Sequence, residues 1–221
     1  MSMNVYVGYD PREEEAYKTC VLSIKMQSTA EVHKLYSEDI PCYSRNLGEP
    51  QSTDFTFTRF LVPHLSGFQG YSLFCDCDFL FLADPLELMK YVTMDKAVYV
   101  VKHPRYIPNS QKKMDDIQQN VYWRKNWSSL MLFDNSHPAL RKLSPEYINE
   151  GYCTGLELHQ FNWLPDDLIG ELPLDWNCLD EYYYLENPKA IHYTDGGPWF
   201  ENRQNTPYAS LWRRFHAEVL R

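Results

Sequence analysis

The stretch Ser72-Leu73-Phe74-Cys75-Asp76-Cys77-Asp78-Phe79-Leu80-Phe81-Leu82 constrains this chain more than any other. It is apolar at nearly every position, like a buried strand, but carries two aspartates two residues apart. In an extended chain residues i and i+2 project to the same side, so the spacing predicts that Asp76 and Asp78 face one way. Two adjacent carboxylates in apolar surroundings repel each other and are costly to bury bare. A divalent cation relieves both costs. Carboxylate oxygens suit Mg²⁺ or Mn²⁺, ions that share their coordination shell with substrate phosphates. The same spacing also arises where a strand end meets solvent or caps a helix, so the rest of the chain has to decide.

The chain opens on Asn4-Val5-Tyr6-Val7-Gly8-Tyr9, an apolar strand ending in the turn Asp10-Pro11-Arg12. Tyr17, Cys20, Val21 and Ile24 then follow helical spacing. Strand, loop and helix form the start of a βα unit, in which ligands sit at the carboxyl ends of strands, here Tyr9, Asp10 and Arg12. No glycine-rich dinucleotide fingerprint is present. Glu13-Glu14-Glu15 reads as a solvated helix start. Ser52-Thr53-Asp54 can cap a helix with Phe57, Phe60, Leu61 and His64 on one face, which leaves Arg59 either solvated or facing a ligand. Asp84-Pro85-Leu86-Glu87 has capping-box form, so Asp84 reads as structural. Ala97 to Lys102 and Asn126 to Phe133 read as strands, and the polar stretch from Pro104 to Lys125, with Lys112, Lys113 and Tyr122, as a functional loop or lid. Ala190-Ile191-His192-Tyr193 is a short strand running into Thr194-Asp195-Gly196-Gly197-Pro198-Trp199, a tight loop whose backbone N–H groups suit a phosphate. Thr206-Pro207 caps a last helix with Leu211, Trp212, Phe215 and Val219 on one face. Alternating strands and helices in 221 residues predict an α/β domain, too short for an eightfold barrel.

A formal net charge of -9 argues against nucleic acid as the partner, and an anionic ligand would need a metal or local arginines to receive it. The 6 cysteines show no zinc spacing and read as free thiols of a reducing compartment. No apolar run is long enough to span a bilayer and no signal peptide precedes the first strand, so the expectation is a soluble cytoplasmic protein, or a domain of a longer chain.

In order, the segments Thr58-Arg59-Phe60-Leu61-Val62-Pro63, Phe74-Cys75-Asp76-Cys77-Asp78, Asn126-Trp127-Ser128-Ser129-Leu130-Met131, Leu172-Pro173-Leu174-Asp175-Trp176-Asn177 and His192-Tyr193-Thr194-Asp195-Gly196-Gly197-Pro198-Trp199 resemble the metal-dependent nucleotide-sugar glycosyltransferases of the GT-A fold. The glycogenin and bacterial lipopolysaccharide galactosyltransferase group is the best-known relative, and a further likeness is to glycosyltransferases of large algal viruses, which would place the protein in the host cytoplasm. The resemblance runs from Val5 to about Phe200. It implies a mixed, mainly parallel Rossmann-like sheet flanked by helices, in a single catalytic domain over 1–221. Its nucleotide-binding part would span 1 to about 102 and its acceptor and sugar part the remainder.

The resemblance also implies roles. Asp76 and Asp78 match the D-x-D that holds Mn²⁺ (or Mg²⁺), and His192 matches the histidine that completes the metal shell. Imidazole with carboxylates favours Mn²⁺. Arg59 would reach the donor, Tyr9 and Asp10 would hold the uracil and ribose, and Asn126, Ser128 and Ser129 would line the sugar pocket. Gly196 and Gly197 would approach the phosphates. The family's lysine after the glycine is missing here, and Lys102, Arg124 and Arg203 are candidates to replace it. Glu157, His159, Gln160 and Asp175 compete for the place beneath the sugar ring. The implied reaction moves a hexose or deoxyhexose, such as glucose or galactose, from a UDP-sugar to a glycan or other hydroxyl. Anomeric configuration would be retained by front-face attack, without a protein base. Two rivals stand beside it. One is a D-x-D phosphatase, against which Leu80 follows Asp78 and a βα unit precedes the motif. The other is a sugar-nucleotide or glycan-binding module without turnover.

Overall fold

The computed structural model describes residues 3–49, 51–104, 123–182 and 184–221; most of the expected lid, including Lys112, Lys113 and Tyr122, lies outside the described residues. Strand β1 (Met3–Gly8) runs into a 3-10 turn at Pro11–Glu13 and helix α1 (Glu14–Gln27), then β2 (Glu31–Leu35). Proline pre-sets the first turn, and the Asp10 carboxylate accepts from the Arg12 N–H to cap it. On α1, Ala16, Cys20 and Ile24 are buried, with Thr19 and Ser23, while Tyr17 and Val21 pack half-buried beside them. Strand β3 (Tyr71–Cys75) is followed by β4 (Phe79–Phe81), β5 (Val98–Val101), β6 (Leu130–Asp134), β7 (Ile169–Leu172), β8 (Cys178–Leu179) and β9 (Ala190–His192). Short helices α2 (Val62–Leu65), α3 (Pro145–Asn149) and α4 (Gly155–His159) and a longer α5 (Ala209–Val219) complete the described chain.

A six-stranded sheet has the order β2-β1-β3-β6-β5-β7, parallel except for β6. This is the mixed, mainly parallel sheet flanked by helices that the family resemblance implies. A second sheet has the order β4-β9-β8, with Phe79 opposite His192. Reversal of β6 has a consequence for the site. Because Cys75 pairs with Leu130, the segment leading into β6 lies above the carboxyl end of β3. The carboxyl ends of β1, β3, β5 and β7 and the entry to β6 therefore share one edge of the sheet.

The main core surrounds the large sheet, and a smaller cluster of Leu80, Ile191, Tyr193 and Trp212 packs under the second. Helix α1 joins the two: its Ser23 hydroxyl accepts from the Phe81 N–H (3.0 Å), and Thr19 meets His216 of α5 (3.1 Å). Several local expectations change. Ser52-Thr53-Asp54 does not start a long helix; the Asp54 carboxylate instead accepts from the Ser37 N–H and hydroxyl (2.8 and 2.7 Å), and the chain enters a 3-10 turn at Thr58–Leu61 before α2. The Thr206 hydroxyl donates to Asp180 rather than capping α5, which begins after Tyr208. Asp84 caps a 3-10 helix at Pro85–Tyr91, as its spacing predicts.

Candidate active site

Strand β3 ends at Cys75, the chain turns through Asp76-Cys77-Asp78, and β4 begins in the other sheet. The single extended stretch read from the sequence is thus two strands. The turn is held from both sides, by the Asp76 N–H donating to the Ser129 carbonyl and the Tyr193 N–H donating to the Asp78 carbonyl (both 3.0 Å). The two carboxylates still converge: one ligand atom each from Asp76, Asp78 and His192 lies within 4.8 Å of the others.

Arg59 is buried rather than solvated, and it lines the cavity beside Asp76 and Asp78. Its guanidinium lies near the faces of Phe55 and Phe74 (5.2 and 5.0 Å to the ring centroids). It donates to the carbonyls of Phe55 (3.2 Å) and Ser128 (2.9 Å) and pairs with Asp76 at 2.8 Å. His192 stacks on Phe79 with ring centroids 4.4 Å apart, its Nδ1 2.9 Å from Asn177 Oδ1 and its Nε2 3.3 Å from Asp78 Oδ1. An imidazole lone pair and a carboxylate oxygen repel at that distance unless a proton or a cation lies between them. Two carboxylates and an imidazole also make the mixed oxygen and nitrogen donor set that suits Mn²⁺. On both counts the residues present fit a divalent metal.

The cavity over these groups is lined by Glu13, Ser52, Thr53 and Phe55 on one side and Thr194, Asp195 and Gly196 on another, with Arg59, Asp76 and Asp78 between. Glu13, expected in solvent, is buried and faces this cavity. Carboxylates of Glu13, Asp76, Asp78 and Asp195 thus meet the Arg59 guanidinium alone among the lining residues, a negative field that an anionic ligand could enter only with a cation.

Other expected residues hold the site from behind. Asp10 is buried with both carboxylate oxygens engaged, by Arg12 (2.6 to 3.0 Å) and by the Asp54 N–H (3.1 Å). Burial pushes its carboxyl up, but those hydrogen bonds outweigh burial and hold it below the usual range. Tyr9 sits edge-on to Tyr17 and Tyr36 at the ends of β1 and β2, with Lys34 over its ring. Asn126 adopts a left-handed backbone (φ 63), and its amide donates to Thr194 (3.0 Å), tying the entry of β6 to the loop after β9. Ser128 is buried, its carbonyl on Arg59 and its hydroxyl 2.7 Å from His159 Nδ1.

At the glycine loop, Gly196 takes φ +94, and a Cβ on Gly197 would lie 2.1 Å from the Trp199 ring. The Gly196 N–H donates to the Tyr193 carbonyl (2.9 Å), so it is already used by the loop itself. Of the three candidate cations, Lys102 donates to the Ile169 carbonyl (3.0 Å) and Arg124 pairs with Asp166 (2.7 Å). Arg203 packs against the loop, its Cγ 3.9 Å from a Cβ on Gly196, and pairs with Glu181 (2.7 Å).

Two expected catalytic carboxylates are placed elsewhere. Glu157 is exposed and completes a capping box with Thr154 at the start of α4. Asp175 lies beside Lys189, which precedes β9 and so stands at the far end of that strand from His192. Neither lines the cavity. In that segment the residue reaching the site is Asn177, two positions on. Asn177 and Glu13 were not singled out by their spacing, and Thr194 and Asp195 only as part of the glycine loop, because the approach of separate strand ends is what brings their side chains together. His103, at the end of β5, is buried beside His192 and Asn177. Burial first, then His192, pushes it down to about 3, opposed by the hydrogen bond it donates to Asn177, so its ring is neutral.

No family model matches the chain. Solved structures share its fold at low identity. Glycosyltransferase GlyE of Streptococcus pneumoniae superposes with TM-score 0.67 at 15% identity over 100% of this chain and 62% of that one. The bifunctional glycosyltransferase WbbM gives 0.65 at 13% over 99% and 51%, so the chain spans about half of it. Galactosyltransferase LgtC, solved with donor and acceptor sugar analogs, gives 0.64 at 11% over 98% and 96%. The fold is therefore that of the GT-A glycosyltransferases. Within it, the chain is 43% identical over 219 residues to Protein CDI of Arabidopsis thaliana, covering 94% of this chain and 83% of that protein. It belongs to the Protein CDI family.

Proposed function

We propose that this protein is a metal-dependent glycosyltransferase that moves a hexose or deoxyhexose from a UDP-sugar to a hydroxyl of a glycan or related acceptor, with retention. The observation that carries the proposal is the convergence of Asp76, Asp78 and His192 in an acidic cavity at the carboxyl ends of parallel strands. Asp76, Asp78 and His192 would hold Mn²⁺ or Mg²⁺, which, when bound, neutralises the charge that grows on the departing diphosphate. Arg59, fixed by two carbonyls and two aromatic faces, pairs with and orients Asp76 and presents a cation at the cavity wall. Thr194, Asp195 and Gly196 form the wall facing the diphosphate, with Arg203 behind them in place of the missing lysine. Tyr9 and the loop braced by Asp10 receive the nucleoside, and Asn126 and Ser128 shape the sugar side.

Calorimetric titration of UDP with and without Mn²⁺ tests this reading. Tight binding only with Mn²⁺, lost in Asp78→Asn and weakened by about 1.5–3 kcal/mol in Arg59→Ala, is the expected result. Absence of UDP binding in either condition would overturn it. Metal-dependent UDP binding without hydrolysis or transfer of any donor would favour a binding module instead. A phosphatase would require Asp76 as nucleophile, whereas Asp76 is here ion-paired to Arg59.

A further inference from the structure

The hydrogen bonds behind the D-x-D turn have a direction, and it can be followed from a group that can only accept. That group is the Asn126 carbonyl, which receives the Ser129 hydroxyl proton at 2.7 Å. With its proton used, the Ser129 oxygen can only accept from Asn177 Nδ2, 2.9 Å away. The same Nδ2 also points at the Asn126 carbonyl, 3.4 Å away. The Asn177 amide is thereby fixed with Oδ1 toward His192 Nδ1 at 2.9 Å. An amide oxygen cannot donate, so Nδ1 carries the proton. Ser129 Oγ, 3.4 Å from Nδ1, is a second acceptor on the same side. In the neutral ring the lone pair is then on Nε2, the atom that faces Asp78. Asn177, Ser129 and His192 are all buried, at 0%, 2% and 1% exposure, so water does not compete for these bonds, and Phe79 fixes the plane of the ring.

We infer that Asn177 is a positioning residue. Oriented by Ser129 and the Asn126 carbonyl, it holds His192 in the Nδ1–H tautomer and keeps the Nε2 lone pair aimed at the metal position. The inference deepens the metal reading proposed above and rests on it. It also explains why the entry to β6 and the segment after β7, far apart in sequence, meet beneath His192. Ligating histidines are commonly oriented by such an acceptor on the other nitrogen, and losing it costs about 10–100-fold in metal affinity.

The test pairs a spectroscopic readout with metal binding. Nitrogen NMR of the metal-free protein at alkaline pH should show the His192 proton on Nδ1. Asn177→Leu, which keeps the shape and removes the acceptor, should shift the proton toward Nε2 and weaken Mn²⁺ binding by about 10–100-fold. Asn177→Asp still accepts from Nδ1 and should restore both the tautomer and tight Mn²⁺ binding. Should Asn177→Leu fail to fold, Ser129→Ala frees the amide to rotate and should move both readouts in the same direction. A proton on Nε2 in the wild-type protein, or Mn²⁺ affinity unchanged in Asn177→Leu, would overturn the inference. Wild-type protein that binds no Mn²⁺ would overturn the metal reading instead, and the tautomer of the metal-free protein would still decide the role of Asn177.

Discussion

Asp180 is a carboxyl whose surroundings are set by contacts remote in sequence. It is 4% exposed, its Oδ2 accepts from the Thr206 hydroxyl, and its Oδ1 has no hydrogen-bond partner among the described residues. Burial pushes it up to about 7, the Thr206 hydrogen bond opposing and the neighbouring Glu181 charge adding to the rise. Its folded value stands above the 3.8 of a free aspartate, so the folded protein holds the proton more tightly. Stability from this group is therefore fully present at about pH 4 and is lost as pH rises through about 7. In chelator-treated protein, Asp180→Asn should be more stable than wild type at pH 8, by on the order of 1–4 kcal/mol, with the difference gone by about pH 4. Urea denaturation across pH measures this, and a pH-independent difference would contradict it. At this scale the sequence conveyed residue type but not surroundings. Asp76 and Asp78 were legible as a pair because two carboxylates in an apolar run stand out locally, although they converge through a turn and not along one extended strand. Glu157, a catalytic candidate in the sequence, caps α4 away from the cavity lining, and Thr154-Gly155-Leu156-Glu157 carries capping-box spacing, which is equally local.

At the scale of elements, the decisive event is the switch of sheets between β3 and β4. Apolar residues on both sides of the D-x-D suit either one long strand or two short ones, since both bury the same side chains. The choice lies with β9, which pairs with β4 and places His192 opposite Phe79. The second sheet has a small core of its own, where Trp212 of α5 is 3% exposed and packs with Leu80, Ile191 and Tyr193, and lies 5.4 Å from Trp199. Trp212→Ala should cost about 3–5 kcal/mol in urea denaturation. Because that core supports β4 and β9, it should also weaken Mn²⁺ binding, although Trp212 is no metal ligand. A stability loss with Mn²⁺ affinity unchanged would show that the site is held by the large sheet alone.

At the scale of the whole molecule, the proposed metal position draws on three separate parts of the chain: the turn after β3, the end of β9 and, behind it, the segment that follows β7. Such a site exists only in the folded state, so metal binding must stabilise the fold. Mn²⁺ at 100 times its dissociation constant should raise unfolding free energy by about 2.7 kcal/mol, and Asp78→Asn should abolish the gain. Equal unfolding curves with Mn²⁺ and with chelator would contradict this.

By itself, the sequence determined the alternation of strands and helices, the paired aspartates, the apolar stripe of α1 and the glycine loop after His192. These are written in spacings of two to four residues, and backbone geometry translates such spacings directly. Only the tertiary structure decided that the D-x-D is a turn between two sheets, that Glu13 is buried in the cavity wall, that Arg59 faces inward, and that Asn177 rather than Asp175 reaches His192. Each of these depends on which strand ends share an edge. That follows from the reversed β6 and the pairing of β4 with β9, contacts between residues more than fifty positions apart whose energies come from burial and hydrogen bonds that no local pattern encodes.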